Sequence, residues 1–345
     1  MGTFFHYEYA SVLISCRNFV DAVSLGLYIS TIVNVSLLVI LCIGFTFTYM
    51  MEKFPNFAHT SFASIGTAVT YYLVKFYGWN PYYTWPVSML IGGLVGVALY
   101  LIIVKKLNER LFNDITLTFT FYIVSRIIVQ CLAIFSYWIL RSTIYQSNGF
   151  VLYSSDFRWN GIQGVGIVAP LTVLFLVIIL GGFLKYSKHG IAMKATAENE
   201  HLSMSLGVNV PMVHIASWFI SGSLAALAGS IIPMWLTTSV DFGDTLLISV
   251  MAGSVLGGLN SIRGAIIGGV LTGVSKKAIT WVLMSKISVN MGSYEGLIPI
   301  LFLFVILAIE PNGLTAINWR NISVHNIKVN IMRLGKAIKN SLTVD

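Results

Sequence analysis

Nine apolar runs dominate the chain, at about 24–49, 60–76, 85–104, 115–135, 164–184, 211–235, 245–259, 264–284 and 296–310. A helix that crosses a bilayer needs about 20 such residues, and hydrocarbon tolerates only a backbone that satisfies its own hydrogen bonds. Composition agrees: 56% of the 345 residues are hydrophobic, 10% are charged, and mean hydropathy is +0.81. An ordinary soluble domain carries about 25% charged residues. The expected fold is an all-α polytopic membrane protein with roughly 8–10 transmembrane helices.

Residues 1–23 read as an N-terminal tail, 24–310 as the transmembrane domain and 311–345 as a basic C-terminal tail. The opening segment carries Glu8 and Arg17 and lacks a small-residue cleavage site, so it is not a secretory signal, and the first apolar run is expected to stay. The net charge of +8 is distributed as topology requires rather than as nucleic-acid binding would. With the N-terminus outside, the cytoplasmic side collects Lys53, Lys105, Lys106, Arg110, Lys185, Lys188, Lys194, Arg263, Arg320, Lys328, Arg333, Lys336 and Lys339. The outer side keeps Arg17, Arg141, Arg158 and Lys286. A multi-pass protein of the cell membrane with a cytoplasmic C-terminus follows, its basic tail against anionic lipid of the bilayer. No nucleic-acid partner is expected.

Catalytic and cofactor signals are missing from the sequence. Cys16, Cys42 and Cys131 make no disulfide framework. His59, His189 and His214 stand isolated, with no Ser/His/Asp or paired-carboxylate spacing around them. Gly335-Lys336 lacks the upstream glycine and the following Ser or Thr of a phosphate-binding loop. The chain is expected not to be an enzyme and to hold no cofactor or metal of its own.

The hydropathy repeats. A long run followed by a short one (24–49, 60–76) recurs after the linking span 164–184 as 211–235 and 245–259. Five spans separate the two starts, so the halves are of inverted topology, with short discontinuous helices at matching places. The breaks contain Asn56-Phe57-Ala58-His59-Thr60-Ser61 and Thr238-Ser239-Val240-Asp241-Phe242-Gly243-Asp244. Both offer helix N-cap side chains, and a half-helix N-terminus suits a carboxylate. Gly92/Gly96, Gly264/Gly268 and Gly269/Gly273 keep the GxxxG spacing, and Gly222, Ala225, Ala226 and Gly229 share one helix face. Such faces let helix backbones approach closely.

Between two apolar runs lies a charged, helix-competent island at 185–210. Continuous helix over 191–206 would set Ile191, Ala195, Leu202 and Leu206 in one stripe and Lys194, Glu198, His201 and Ser205 in the next. One stripe can dock and the other can be read. Gly207 is expected as the C-cap that turns the chain back to the membrane. Arg126 lies about 17 Å into its span at 1.5 Å per residue. Two roles are open for it: a fork onto a substrate carboxylate, or a structural pair with Asp241 or Asp244.

Four collinear stretches resemble the ATP-binding-cassette import permeases of the branched-chain amino-acid (LivH/LivM) type. They are Gly44 through Tyr49 with Asn56-Phe57-Ala58-His59; the island from Gly190, Lys194, Ala195 and Glu198 to Leu206 and Gly207; Gly257-Gly258-Leu259-Asn260-Ser261-Ile262-Arg263-Gly264; and Glu310-Pro311-Asn312-Gly313-Leu314. The resemblance implies an importer permease for branched-chain or similar apolar amino acids, with the island as its ATPase-coupling loop. It implies a second permease subunit (a different chain or a copy of this one), two cytoplasmic ATPase subunits that hold ATP and Mg, and an extracytoplasmic substrate-binding protein. A substrate pathway would include Asn56, Phe57, Ala58, His59, Arg126 and Asp241. Thr60 departs from the family's usual glycine, Asn260 replaces a glycine as a residue tolerant of left-handed backbone, and Lys276 stands where relatives often carry an acid. Importers of the ribose/nucleoside or urea/amide type are the alternatives. An ion-coupled secondary transporter or channel is disfavoured by the scarcity of acids inside the spans.

Overall fold

A computed structural model describes residues 2–108, 113–142, 149–159, 162–239, 241–309 and 313–314, with side chains from Gly26 onward except at 108, 308 and 309. Every apolar run is helical. In chain order the helices are α1 (Gly2–Glu52), α2 (His59–Tyr77), α3 (Pro81–Leu99), α4 (Lys105–Asn108), α5 (Asp114–Ser142), α6 (Gly164–Tyr186), α7 (Lys188–Glu198), α8 (Glu200–Ser205), α9 (Val210–Trp235), α10 (Gly243–Gly257), α11 (Ile262–Lys286) and α12 (Leu297–Ile309). A π turn, Tyr100–Val104, joins α3 and α4 into one rod. Two short strands, Arg158–Trp159 and Ile162–Gln163, pair antiparallel before α6. Among the described residues six helices are long and apolar enough to cross a membrane, and α10 and α12 are shorter apolar helices. The backbone of 2–23, expected as a tail, continues α1 as helix. Apart from Gly313 and Leu314, the basic tail lies outside the described residues.

The inverted repeat is visible in what packs on what. Helix α9 packs against α2 and α3, α1 packs against α10 and α11, α1 touches α9, and α2 touches α10. Exchanging α1, α2 and α3 with α9, α10 and α11 returns the same set of partners. The cause is the placement of small residues. A Cβ on Gly96 would stand 2.6 Å from the Trp218 carbonyl oxygen, and one on Gly92 the same distance from that of Gly222. In the other half a Cβ on Gly269 would lie 3.1 Å from the Cα of Val39, and one on Gly273 3.2 Å from that of Val35. The GxxxG pairs of α3 and α11 thus do equivalent work against α9 and α1.

Around these crossings α1 and α9 form the centre. Val33, Leu41, Cys42, Trp218, Ala225, Ala228 and Ile231 are fully buried. The outer helices α5 and α6 show large apolar side chains such as Ile134 and Phe175 on their free faces. That inversion of a soluble protein's pattern suits a lipid surround, where close packing of small residues replaces hydrophobic burial as the force between helices.

Gly66 and Gly229 hold the closest crossing, because a Cβ on Gly66 would reach the backbone of Ala226, and one on Gly229 that of Ala63. Gly66→Leu is expected to lower the unfolding midpoint of the detergent-solubilised chain, since overpacking costs about 1–3 kcal/mol. Gly182→Leu, with nothing within 4 Å of its Cβ position, should leave it unchanged. Equal midpoints for the two variants would contradict the packing scheme.

Candidate functional site

Both short helices begin inside the bundle. His59, at the start of α2, is level with Gly44, where a Cβ would stand 2.7 Å from the imidazole. Gly44 lies eight residues before the end of α1, so α2 starts about 12 Å inward of it at 1.5 Å per residue. The start of α10 meets the same place from the opposite side. Gly243 N–H donates to Ser64 Oγ of α2 at 3.1 Å, and a Cβ on Gly243 would run into the Thr60 carbonyl. The two N-termini therefore sit side by side within the bundle.

The capping differs from the sequence expectation. Neither α2 nor α10 is capped by the side chain at its own N-cap position, which is Ala58 in one and Phe242 in the other. Asn56 Oδ1 instead accepts from Ala58 N–H at 3.0 Å, and Ser64 caps α10 across the junction. Asp241 accepts from Ser239 Oγ and is exposed. Asn56, Ala58 and His59 are wholly buried. His59 Nε2 lies 3.1 Å from the Leu41 carbonyl, and Nδ1 lies 3.1 Å from Ser221 Oγ. These two contacts pin α2 to α1 and α9. Of Asn56-Phe57-Ala58-His59 only Phe57 is partly exposed.

Helix α5 closes one side of the junction. Ser125 Oγ lies 2.6 Å from Ser61 Oγ, Phe121 stacks on Phe54 with centroids 5.5 Å apart, and the Tyr122 ring meets Phe57 edge-on at 6.4 Å. With Phe121 and Ser125 turned inward, Arg126 turns to the free side. Its Nη2 lies 2.8 Å from Asp244 Oδ2, and its guanidinium carbon stands 5.5 Å above the Tyr122 ring. The pair is only partly covered, the side chains being 46% and 20% exposed. Asp244 Oδ1 is enclosed and has no hydrogen-bond donor. The structural partner proposed for Arg126 from sequence is thus present, and it is Asp244 rather than Asp241.

The island at 185–210 folds as two helices, not one. The break falls at Asn199, whose side chain accepts from Leu202 N–H at 3.0 Å and so starts α8 afresh. Ser187 caps α7 by accepting from Gly190 N–H at 3.0 Å. Gly190 is buried, with a Cβ position 2.6 Å from the Cα of Leu184, while Gly207 has φ +84° and closes α8 as expected. Lys194, Glu198 and Leu206 are exposed and Ala195 is half-buried. Ile191 and Leu202 are exposed as well.

Sequence reasoning missed the link from this island to the bundle. Glu52, at the end of α1, is buried, and its Oε1 accepts from Trp218 Nε1 at 2.8 Å and faces His214 Nδ1 at 2.7 Å. His214 Nε2 faces Glu200 of α8 at 3.7 Å, and Tyr100 from the π turn stacks on the imidazole with an interplanar angle of 4°. His214 was isolated only along the chain. The usable signal was an acid closing an apolar run together with His214 and Trp218 four residues apart on one helix face. Among the described residues no group of three or more His, Cys, Asp or Glu is placed to hold a metal ion.

The remaining departures have local explanations. Asn260 does not use left-handed backbone; Gly258 does, at φ +100°. Gly313 (φ +78°) packs on it, its Cβ position 2.5 Å from Gly258 N, which unites the third and fourth sequence signatures. Glu310, Pro311 and Asn312 lie outside the described residues. Lys276 and Lys277 share Glu295 Oε1, in the link between α11 and α12, at 3.3 and 3.0 Å.

A bundle that brings helix N-termini and opposite charges together, inside a jacket of apolar helices, has the architecture of a membrane permease. Residues 27–308 match the family model described as branched-chain amino acid transport system / permease component, and the chain belongs to this family. It is 32% identical over 291 residues to the probable branched-chain amino acid transport permease protein LivH of Methanocaldococcus jannaschii, covering 84% of this chain and 92% of that one. The high-affinity branched-chain amino acid transport system permease protein LivH of Salmonella typhimurium is 23% identical, with 80% and 90% covered. A tyrosine transport system permease protein of Clostridioides difficile is 24% identical, with 66% and 72% covered. Among solved structures, PsaBC from Streptococcus pneumoniae in complex with Fab is similar over 82% of this chain and 91% of that one, with a TM-score of 0.47 and 12% identity.

The buried Glu52 needs its partners. His214→Leu is expected to destabilise the chain by about 3–5 kcal/mol, the usual cost of stranding one member of a buried pair. Glu200→Gln, at a half-exposed and longer contact, should cost less than about 1 kcal/mol. Denaturation midpoints in detergent measure both, and equal shifts would show that Glu52 is not held by His214.

Proposed function

We propose that the chain is the membrane subunit of an ATP-driven, binding-protein-dependent importer whose substrate is a branched-chain or similarly apolar amino acid. The Arg126–Asp244 pair carries this reading. An amino acid in transit is a zwitterion and needs a cation for its carboxylate and an anion for its ammonium. Arg126 offers a planar fork with donors beyond the one facing Asp244, and Asp244 retains one oxygen without a donor. Substrate entry would exchange one ion pair for two, with little net change in charge at mid-bilayer. Phe57 and Tyr122 beside the pair supply aromatic surface for an apolar side chain.

A half-exposed guanidinium at this depth is incompatible with hydrocarbon. The free face of α5 is therefore the side that a second permease subunit covers, and the pathway runs between the two. On the cytoplasmic side two ATPase subunits would dock on Ile191, Leu202 and Leu206 and read Lys194 and Glu198. Their motion would enter the bundle through Glu200, His214 and Glu52 and through the tight α6–α7 joint at Gly190. Hydrolysis belongs to those partners, and selection of the amino acid begins at an external binding protein. The matching names of the relatives support the substrate class. The Lys/Arg distribution supports an outer N-terminus and a cytoplasmic C-terminus.

Uptake by the reconstituted complex tests this. Arg126→Gln and Asp244→Asn are each expected to reduce uptake at least about tenfold, about 1.4 kcal/mol, in complexes that still assemble. Wild-type uptake by both assembled variants would remove the pair from the pathway. Gly207→Val forces a β-branched residue into left-handed backbone and is expected to leave insertion intact while abolishing substrate-stimulated ATP hydrolysis. Normal stimulation in that variant would remove the island from the coupling step.

A further inference from the structure

A second recess lies away from the junction. It has a volume of about 930 Å³ and opens between α1, α6, α7 and the start of α11. Phe47 and Met50 of α1 form its floor, Val177 and Gly181 of α6 one wall, and Ile266 of α11 the other. Its rim is a different chemistry. Lys53, Lys185, Lys194 and Arg263 line it from four separate segments, with Glu198 as the one acid among the lining side chains. All four cations are exposed. Lys185 lies over the Tyr186 ring at 5.1 Å, and the nearby carboxylate of Glu52 is already taken by His214 and Trp218.

We propose that this recess is a binding site for an anionic phospholipid. The apolar walls continue the outward surface of α6, where Ile178 and Ile179 point away from the bundle, so acyl chains can enter from the side without crossing polar ground. The cations sit at the end of those walls where the apolar segments of α1 and α6 stop, which is where a lipid phosphate rests. A net excess of three positive charges around an apolar cleft excludes a zwitterionic occupant as the better fit and matches a phosphate monoanion with apolar chains. Basic pockets between transmembrane helices hold acidic headgroups by this combination, and the volume falls in the range of ligand cavities, about 300–1,000 Å³. Since the floor is α1 and the cap is α7, an occupant would touch the central helix and the island helix at once.

The test uses the full chain, purified in mild detergent from vesicles containing equal amounts of phosphatidylglycerol and phosphatidylcholine, with retained lipids counted by native mass spectrometry. The wild-type chain is expected to retain phosphatidylglycerol in preference to phosphatidylcholine. Lys185→Gln and Arg263→Gln should each reduce that preference about fivefold, the contribution of one cation near an anionic lipid surface. Gly181→Leu fills the wall at a position with no atom within 4 Å of the new Cβ, so it should fold normally and retain fewer lipids of both kinds. Unfolding midpoints confirm that the compared variants are folded. Equal retention of the two lipids by wild type, a preference unmoved by both charge variants, or retention unmoved by Gly181→Leu would overturn the proposal. Loss of the retained lipid on adding the ATPase subunits would also overturn it, because the recess would then belong to that interface.

Discussion

Two helices begin inside the bilayer, and each beginning exposes backbone N–H groups that hydrocarbon cannot satisfy. The rest of the molecule is arranged around that constraint. Asn56 satisfies the entry to α2, Ser64 satisfies α10 from across the junction, and His59 ties the broken segment to two central helices. Because Ser64 caps α10 from α2 and His59 ties α2 to α1 and α9, neither short helix can be moved alone. The junction is also where fixed charge is tolerable, since Arg126 and Asp244 meet beside groups that already need polar company.

The inverted repeat turns this local solution into an architecture. The GxxxG pair of α3 lets it lie on α9, and the equivalent pair of α11 lets it lie on α1, so each half braces the long helix of the other. At the end of the bundle that carries the island the same cross-bracing continues through polar contacts. Glu52 from one half receives Trp218 and His214 from the other, and His214 reaches on to α8. The island helices are thus joined to both halves through a buried carboxylate.

Much of the fold was legible because its determinants are one-dimensional. Run length fixes a spanning helix, glycine spacing fixes a crossing face, and Gly207 has to close α8 because the chain turns there. What could not be read depends on contacts between distant segments. Asn56 and Ser239 have cap chemistry, yet the side chain that caps α10 is Ser64, 179 positions away. Nothing in the run 191–206 forbids a continuous helix; Asn199 breaks it by capping the next turn. Arg126 was recognisable as costly at its depth, while the choice between the acids depends on Asp244 lying in the first turn of α10 and Asp241 in the turn before it, against Ser239. His59 has the appearance of a site residue in sequence and is a buried pin in space. His214 appeared solitary and in space meets Glu52, Glu200 and Tyr100.

The exposed face of α5 around Arg126 separates a pathway from a lipid boundary, and solvent access decides between them. The direct measurement is labelling by a membrane-impermeant thiol reagent in the assembled transporter, with Cys16, Cys42 and Cys131 replaced and a single cysteine introduced at Tyr122 or at Leu174 on the outer face of α6. A pathway face predicts rapid labelling at Tyr122→Cys, slowed by substrate, and none at Leu174→Cys. Labelling at neither position, in a complex that still transports, would place Tyr122 and Arg126 outside the pathway and contradict the proposed route.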